Sequence, residues 1–157
     1  MADPGTKVVA TNRKARHDYD VLETVEAGIA LQGSEVKSVR AAKVQLKDSY
    51  AHVRDGEIFL KGVHISPYSH SHGLDGHEPE RERKLLLHRH EIDDLRVRLE
   101  REPLTLVPLS VYFREGRAKV ELGLVRGRKR HDKRAAMAER DAKREAERAM
   151  SDRVKGR

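Results

Sequence analysis

Apolar residues recur along the chain in short runs whose period changes from two to roughly three and a half. Tyr19 and Val21, then Ile29 and Leu31, fall on alternate positions, with Glu26, Ala27 and Gly28 between them, which predicts two half-buried strands. In GSEVKSVRAA, Ser34 can cap a helix after Gly33, and Val36 and Val39 lie three apart on one face, so a short helix is expected. Ala51 and Val53 alternate before Asp55-Gly56, and Ile58 and Leu60 after it; this dipeptide favours a two-residue hairpin turn. From Leu85 to about Glu100, Ile92, Leu95 and Leu99 recur at helical spacing. Glu91, Asp93 and Asp94 lie near the front and Arg96, Arg98 and Arg101 near the back, matching the helix dipole, and Pro103 marks the end. A second hairpin follows: Leu109, Val111 and Phe113 alternate before a turn at Glu115-Gly116, and Ala118, Val120, Leu122 and Leu124 after it, with Pro108 suited to an edge or a bulge.

This content is mainly β, about six strands with two or three short helices. A single antiparallel sheet cannot easily shield it unless it curls, so a small OB-like closed antiparallel β-barrel is expected. Residues 1–11 are short, mixed and uncapped, a flexible N-terminus; 12–126 form the barrel; 127–157 form a basic C-terminal tail. That tail has no aromatic residue, and Met137, Met150 and Val154 are its only large apolar side chains, so it cannot build a core.

Charge sharpens the division. The last 31 residues hold 12 Lys or Arg against 6 Asp or Glu, whereas the first 126 hold 21 against 20, so nearly all of the net +7 lies in the tail. A concentrated positive arm favours polyanions, most often nucleic acid or anionic membrane, the alternative being an ordinary solvated helix. Hydrophobic residues make up 37% and charged residues 38%, so the core must be economical. Cysteine is absent, which excludes disulfides, thiolate metal sites and a cysteine nucleophile. No apolar stretch has the length of a signal peptide or membrane span, and a cytoplasmic, monomeric protein without a membrane partner is expected.

Candidate chemistry is sparse. No Gly-rich phosphate loop, G-x-S-x-G elbow or H-E-x-x-H helix occurs, so neither enzyme activity nor a cofactor is expected. His70, His72 and His77 share the loop over residues 66–83, with His88 and His90 just beyond, but a polar loop is a poor metal scaffold and no metal site is expected. Phosphate binding has more support, from three basic clusters: Arg13, Lys14 and Arg16; Arg81, Arg83 and Lys84; and Arg128 to Arg134, which takes in Lys129, Arg130, Asp132 and Lys133. The body has only Tyr19, Tyr50, Phe59, Tyr68, Tyr112 and Phe113 as aromatics, and several are needed in the core. A structured RNA gripped by phosphate, sugar and shape therefore fits better than a single strand stacked on rings. Written as a helix, the tail puts Lys133, Met137, Arg140, Arg144 and Arg148 on one stripe. Its ion pairs are each worth only about 0.2–0.5 kcal/mol, so a tail that is disordered or fluctuating when free and becomes a helix on binding phosphate is expected.

Seven segments occur in one order: NRKARHDY (Asn12 to Tyr19), EAGIAL (Glu26 to Leu31), GSEVKSVR (Gly33 to Arg40), DSY (Asp48 to Tyr50), RERKLLL (Arg81 to Leu87), TLVPLSVYF (Thr105 to Phe113) and HDKR (His131 to Arg134). Together they resemble the SmpB family, the SsrA-binding proteins of bacteria, from about Asn12 to Met150. The resemblance implies an OB-like barrel that binds the tRNA-like domain of tmRNA and carries it, with elongation factor Tu and GTP, to ribosomes stalled on mRNA lacking a stop codon. It implies that the barrel replaces the anticodon arm while the tail enters the small-subunit decoding centre and the empty mRNA channel. It also places tmRNA-facing residues at Asn12, Glu26 and Leu86, and decoding-centre contacts at Gly127, Arg128, Lys129 and His131. Beside these, Arg13, Lys14, Arg16 and Lys84 can neutralise phosphate; His17 can stack on a base or close the barrel edge, and Leu86 can instead be core. Where the family often has Gly this chain has Ala42, which implies that positive φ is not required there. His77 stands where the family commonly has Asn, which implies a tolerant loop.

Overall fold

A computed structural model describes residues 5–67, 77–127 and 140–149. Among the described residues through Gly127, nine strands and three helices follow one another: β1 (Thr6–Thr11), α1 (Arg13–Asp18), β2 (Tyr19–Ile29), α2 (Gly33–Arg40), β3 (Val44–Gln45), β4 (Tyr50–Arg54), β5 (Glu57–Lys61), β6 (His64–Ile65), β7 (Arg83–Leu86), α3 (Arg89–Arg101), β8 (Thr105–Arg114) and β9 (Arg117–Gly127). A further helix, α4, spans residues 140–149. The chain divides into two compact units, Met1–Arg126 and Gly127–Arg157.

In the first unit the strands run β1-β8-β4-β5-β7-β2-β9, and β9 also pairs with β8, so the hydrogen bonding closes a ring of six strands with β1 added along β8. Closure removes the free edges that an open sheet would leave. The two expected hairpins are present, β4–β5 from Tyr50↔Lys61 to Arg54↔Glu57 and β8–β9 from Thr105↔Val125 to Arg114↔Arg117. Their turns use left-handed backbone at Asp55 and Gly56 (φ 53° and 74°) and at Glu115 and Gly116 (φ 51° and 78°), as tight hairpin turns require. Ile58, Leu60, Leu85, Leu106, Val120, Leu122 and Leu124 form the centre of the core, each 1% exposed or less.

A bulge between Pro108 and Ser110 divides that core in two. Leu106 before it and Val111 and Phe113 after it enter the main cluster, while Val107 and Leu109 join Val125 and Ala15 beneath α1. Leu109 is thus out of phase with Val111 and Phe113, because the extra residue changes which face the strand presents. Gly123, facing Val107 across the ladder, makes room: a Cβ there would lie 2.7 Å from Leu109 Cδ1.

Several expectations need correction. Residues 6–11 are not a frayed start but β1, held against β8 from Thr6↔Arg114 to Thr11↔Ser110. The two strands around Val21 and Ile29 are one strand of 11 residues, with Glu26, Ala27 and Gly28 inside it. Arg13–Asp18 is a helix that no apolar period announces, since Ala15 is its only buried residue. Leu85 and Leu86 belong to β7, and α3 begins only at Arg89 after His88, whose capping box with Glu91 sets the start. Ala42 does adopt positive φ, 58°, despite its Cβ. His77 is buried, with Nδ1 3.0 Å from Ser34 Oγ and Nε2 2.8 Å from Ile65 O, so it ties the loop down.

Candidate nucleic-acid interface

Three basic stretches were expected at an RNA surface, and strand phase divides the one that reaches β7. On β7, Arg83 points inward and Lys84 outward. Arg83 is 0% exposed: its Nε donates to Glu35 Oε2 at 2.6 Å, Nη1 to Val63 O at 2.9 Å, and Nη2 to Pro79 O at 3.1 Å and Glu78 O at 3.3 Å. Arg81 closes the other side of Glu35, Nη2 to Oε1 at 2.6 Å, and the Gln32 amide adds a bond at 2.7 Å. Burial pushes the Glu35 pKa up, but Arg81, the Gln32 amide and Arg83 outweigh it, and the carboxyl lies below its ordinary value. Burial lowers the Arg83 pKa against the pull of Glu35, yet a guanidinium stays protonated. Arg83 therefore does not face RNA: it joins α2, β7 and the segment before β7 through a buried ion pair.

Asn12 needs the same correction. It is 4% exposed; Oδ1 accepts from the Ala15 amide at 3.1 Å as the N-cap of α1, while Nδ2 donates to Pro108 O at 2.9 Å and Leu46 O at 3.2 Å. Its amide also donates to Leu109 O at 2.8 Å. The Asn that the family pattern assigns to RNA thus fastens α1 onto the bulge of β8, buried and with both Nδ2 hydrogens donated to backbone carbonyls.

What Asn12 holds in place is exposed. Arg13, Lys14 and Arg16 on α1 are all at the surface. Lys14 Nζ lies 2.6 Å from Asp48 Oδ1, a bond that raises the Lys14 pKa and lowers that of Asp48. Arg16 Nη2 reaches Glu121 Oε1 on β9 at 2.9 Å, joining the helix to the sheet face beside it. His17 is half-buried, with Nδ1 3.0 Å from Asp18 Oδ1. Lys84 is exposed and pairs with Glu57 at 3.0 Å. Such exposed pairs are screened by solvent and weak enough to be exchanged for phosphate.

Glu26 and Leu86 lie close together at one end of the ring, because β2 and β7 pair through Gly28↔Leu86. Leu86 is 53% exposed and so is not core. It lines a groove of about 370 Å³ with Gly28, Ile29, Phe113, Ala118 and Lys119. Glu26, on β2, is met from β8 across β9: Tyr112 Oη and Arg114 Nη1 both donate to Glu26 Oε2 at 2.5 Å. Burial, with Glu26 beside it, raises the Tyr112 pKa, so the phenol stays protonated and donating. Arg117 and Lys119 form no ion pair among the described residues, and Arg40 lies 4.9 Å over the Phe113 ring. Sequence clustering missed these cations because they alternate with core residues; the outward phase of the second hairpin, Arg117, Lys119 and Glu121 against Ala118, Val120 and Leu122, carried the signal.

Gly127 ends β9. The expected tail contacts Arg128, Lys129, Arg130, His131, Asp132, Lys133 and Arg134 lie outside the described residues, as do His70 and His72. Arg140, Arg144 and Arg148 are on α4, four residues apart and exposed, so they share one face of that helix. Among the described residues no group of His, Asp or Glu could hold a metal ion, and no helix is long and apolar enough to cross a membrane.

Fold and site define a small, mainly β ring protein whose exposed cations are interspersed with carboxylates, and a basic helix. The chain belongs to the SmpB family, whose model, described as SmpB protein, matches residues 9–152. It is 53% identical over 152 residues to the SsrA-binding protein of Acetivibrio thermocellus, covering 97% of this chain and 98% of that one. It is 55% identical over 156 residues to the SsrA-binding protein of Mycolicibacterium vanbaalenii, covering 99% and 94%. A solved structure described as "tmRNA-SmpB: a journey to the center of the bacterial ribosome" matches with a TM-score of 0.66 at 51% identity, over 82% of this chain and 93% of that chain.

Proposed function

We propose that this protein binds the tRNA-like domain of tmRNA, the SsrA RNA, and delivers it to stalled ribosomes for trans-translation. The observation that carries the reading is the surface on which α1, β2, β7 and the β8–β9 hairpin bring Arg16, Glu26, Lys84, Leu86 and Lys119 to the outside of one rigid ring. Its exposed cations are few, spaced and mixed with carboxylates, which suits a folded RNA recognised through backbone and shape. Likeness to SsrA-binding proteins over nearly the whole chain supports the choice of RNA. In this reading the ring stands where a tRNA would carry its anticodon arm, and elongation factor Tu with GTP joins through the tmRNA. The tail, from Gly127 through His131 to the Arg140, Arg144 and Arg148 stripe, enters the decoding centre and mRNA channel. The role is non-enzymatic and cytoplasmic, and one copy acts per RNA.

A gel shift with tmRNA against bulk tRNA tests this, using full-length protein and a truncation after Gly127, together with tagging on a stalled ribosome. Both proteins are expected to prefer tmRNA, and only the full chain to support tagging. Equal affinity for bulk tRNA would overturn the choice of RNA; near-complete loss of tmRNA binding on truncation would overturn the division between ring and tail.

A further inference from the structure

Ser34 and His77 have the layout of an activated nucleophile and take no part in the RNA surface. Ser34 is the second residue of α2, and His77 lies on the segment before β7. His77 Nδ1 is 3.0 Å from Ser34 Oγ, and Nε2 is 2.8 Å from Ile65 O. A carbonyl oxygen only accepts, so Nε2 carries the ring hydrogen and Nδ1 is the lone-pair nitrogen that accepts from the Ser34 hydroxyl. Ile65 is itself held: it lies in β6, is 1% exposed, and donates its amide to Pro79 O at 2.9 Å. His77 is 7% exposed, so packing and the carbonyl together fix the ring. Ser34 is only half-buried, on a helix anchored by the buried residues Glu35, Ser38 and Val39.

We infer that Ser34 is an acyl-acceptor site: its Oγ attacks the carbonyl carbon of an activated acyl donor, with His77 as the general base. A hydroxyl is a weak nucleophile at neutral pH, and a base within hydrogen-bond reach, itself oriented by a third group, is what makes it reactive. Here the base is His77 and the third group is the Ile65 carbonyl. Ser34 gives its proton to Nδ1 as the Oγ–C bond forms; the bond from that carbon to the leaving group then breaks, and the leaving group takes the proton from Nδ1. The products are an O-acyl serine and the free leaving group, and His77 returns to its neutral form. The Gly33 and Ser34 amides, in the first turn of α2, have no hydrogen-bond partner among the described residues. The positive end of the helix therefore favours the charge that develops on the attacked carbonyl oxygen. Thioesters and acyl phosphates share the required chemistry, a carbonyl carbon bearing a good leaving group.

Acylation of the full-length protein by p-nitrophenyl acetate tests this, with the modified residue located by mass spectrometry after an acid quench. Tryptic cleavage after Arg16 and Lys37 releases a peptide in which Ser34 is the single serine. Acetylation of Ser34 is expected to run roughly a hundredfold faster in the folded protein than in the same protein unfolded in urea, within the range of general-base assistance. His77→Asn should melt within a few degrees of wild type and label Ser34 no faster than the unfolded chain does. Acetyl phosphate and an acetyl thioester, offered separately, distinguish the two donor classes, and one of them should label Ser34 above the unfolded rate. A Ser–His bond that serves only to tie down the segment before β7 would leave Ser34 no more reactive folded than unfolded, and that result would overturn the inference. It would be overturned equally by folded His77→Asn that labels as fast as wild type, or by failure of both natural donor classes. The comparison of folded with unfolded wild-type chain needs no variant, so it stands whatever the stability of His77→Asn.

Discussion

Glu35→Ala should be among the most damaging single substitutions in the ring, although it removes a carboxylate and no apolar surface. Glu35 is 0% exposed and accepts from Arg81, Arg83 and the Gln32 amide, with three bonds of 2.6–2.7 Å. Removing it leaves the Arg83 guanidinium, also 0% exposed, with only neutral carbonyl partners at Val63, Glu78 and Pro79. Breaking one side of a buried pair costs about 3–5 kcal/mol, a large part of the roughly 5–15 kcal/mol that holds a domain together. For a chain of this size that corresponds to a fall of about 6–20 °C in melting temperature. Urea unfolding followed by circular dichroism measures it directly. The double substitution Glu35→Leu with Arg83→Met should be less destabilised than Glu35→Ala, because no unpaired charge remains.

The same pair sets an acid dependence. The Glu35 pKa in the folded chain lies below its ordinary value, so its contribution is fully present above the unfolded value and is lost as pH falls through the folded one. Wild-type stability should therefore drop below the usual carboxylate range, and Glu35→Ala should show a shallower drop there. A destabilisation under about 1 kcal/mol at neutral pH would refute the reasoning, as would an acid limb unchanged by the substitution.

Two further substitutions separate folding from binding and test the backbone. Asn12→Ala removes the α1 cap and the side-chain donor to the Pro108 carbonyl, while Leu46 O keeps the Ser49 hydroxyl and amide as donors, so a loss of about 2–4 kcal/mol is expected in urea unfolding. RNA affinity, corrected for the folded fraction in a gel shift at low temperature, should then stay within about twofold of wild type, since the side chain is buried and bonded within the protein. Ala42→Gly should raise stability by about 0.5–1 kcal/mol in the same assay, because position 42 holds φ 58° and glycine adopts it without a Cβ clash.

The parts of the fold that were legible in the sequence are those where local chemistry and global packing agree. Asp55-Gly56 and Glu115-Gly116 both need left-handed backbone and both flank alternating apolar runs, so the hairpins and the closed, mainly β architecture could be read directly. β1 and β7 could not: β1 has no fully buried residue, and β7 is only 4 residues long, its strand character coming from pairing with β5 and β2. Helix α1 was hidden for the opposite reason, since its stability comes from the Asn12 cap and one buried alanine rather than from a stripe.

The candidate site shows the same limit more sharply, because runs of basic residues are one-dimensional and surfaces are not. Arg81, Arg83 and Lys84 read as one cluster, yet a strand turns successive side chains to opposite faces. Arg83 becomes the best-buried cation in the ring, Lys84 a surface charge, and Arg81 a half-exposed clamp on Glu35. Conversely, Arg117 and Lys119 never formed a run, yet the alternation that buries Val120 and half-buries Ala118 puts both beside Leu86 and Gly28. An RNA surface on a β scaffold is therefore to be sought at every second position of strands that are neighbours in space. By that criterion the candidate RNA-facing charges of this ring lie on β9 as much as on α1. Double charge reversal of Arg117 and Lys119 should lower the salt dependence of tmRNA binding by nearly two phosphate contacts, whereas Arg83 variants should alter affinity only through the folded fraction.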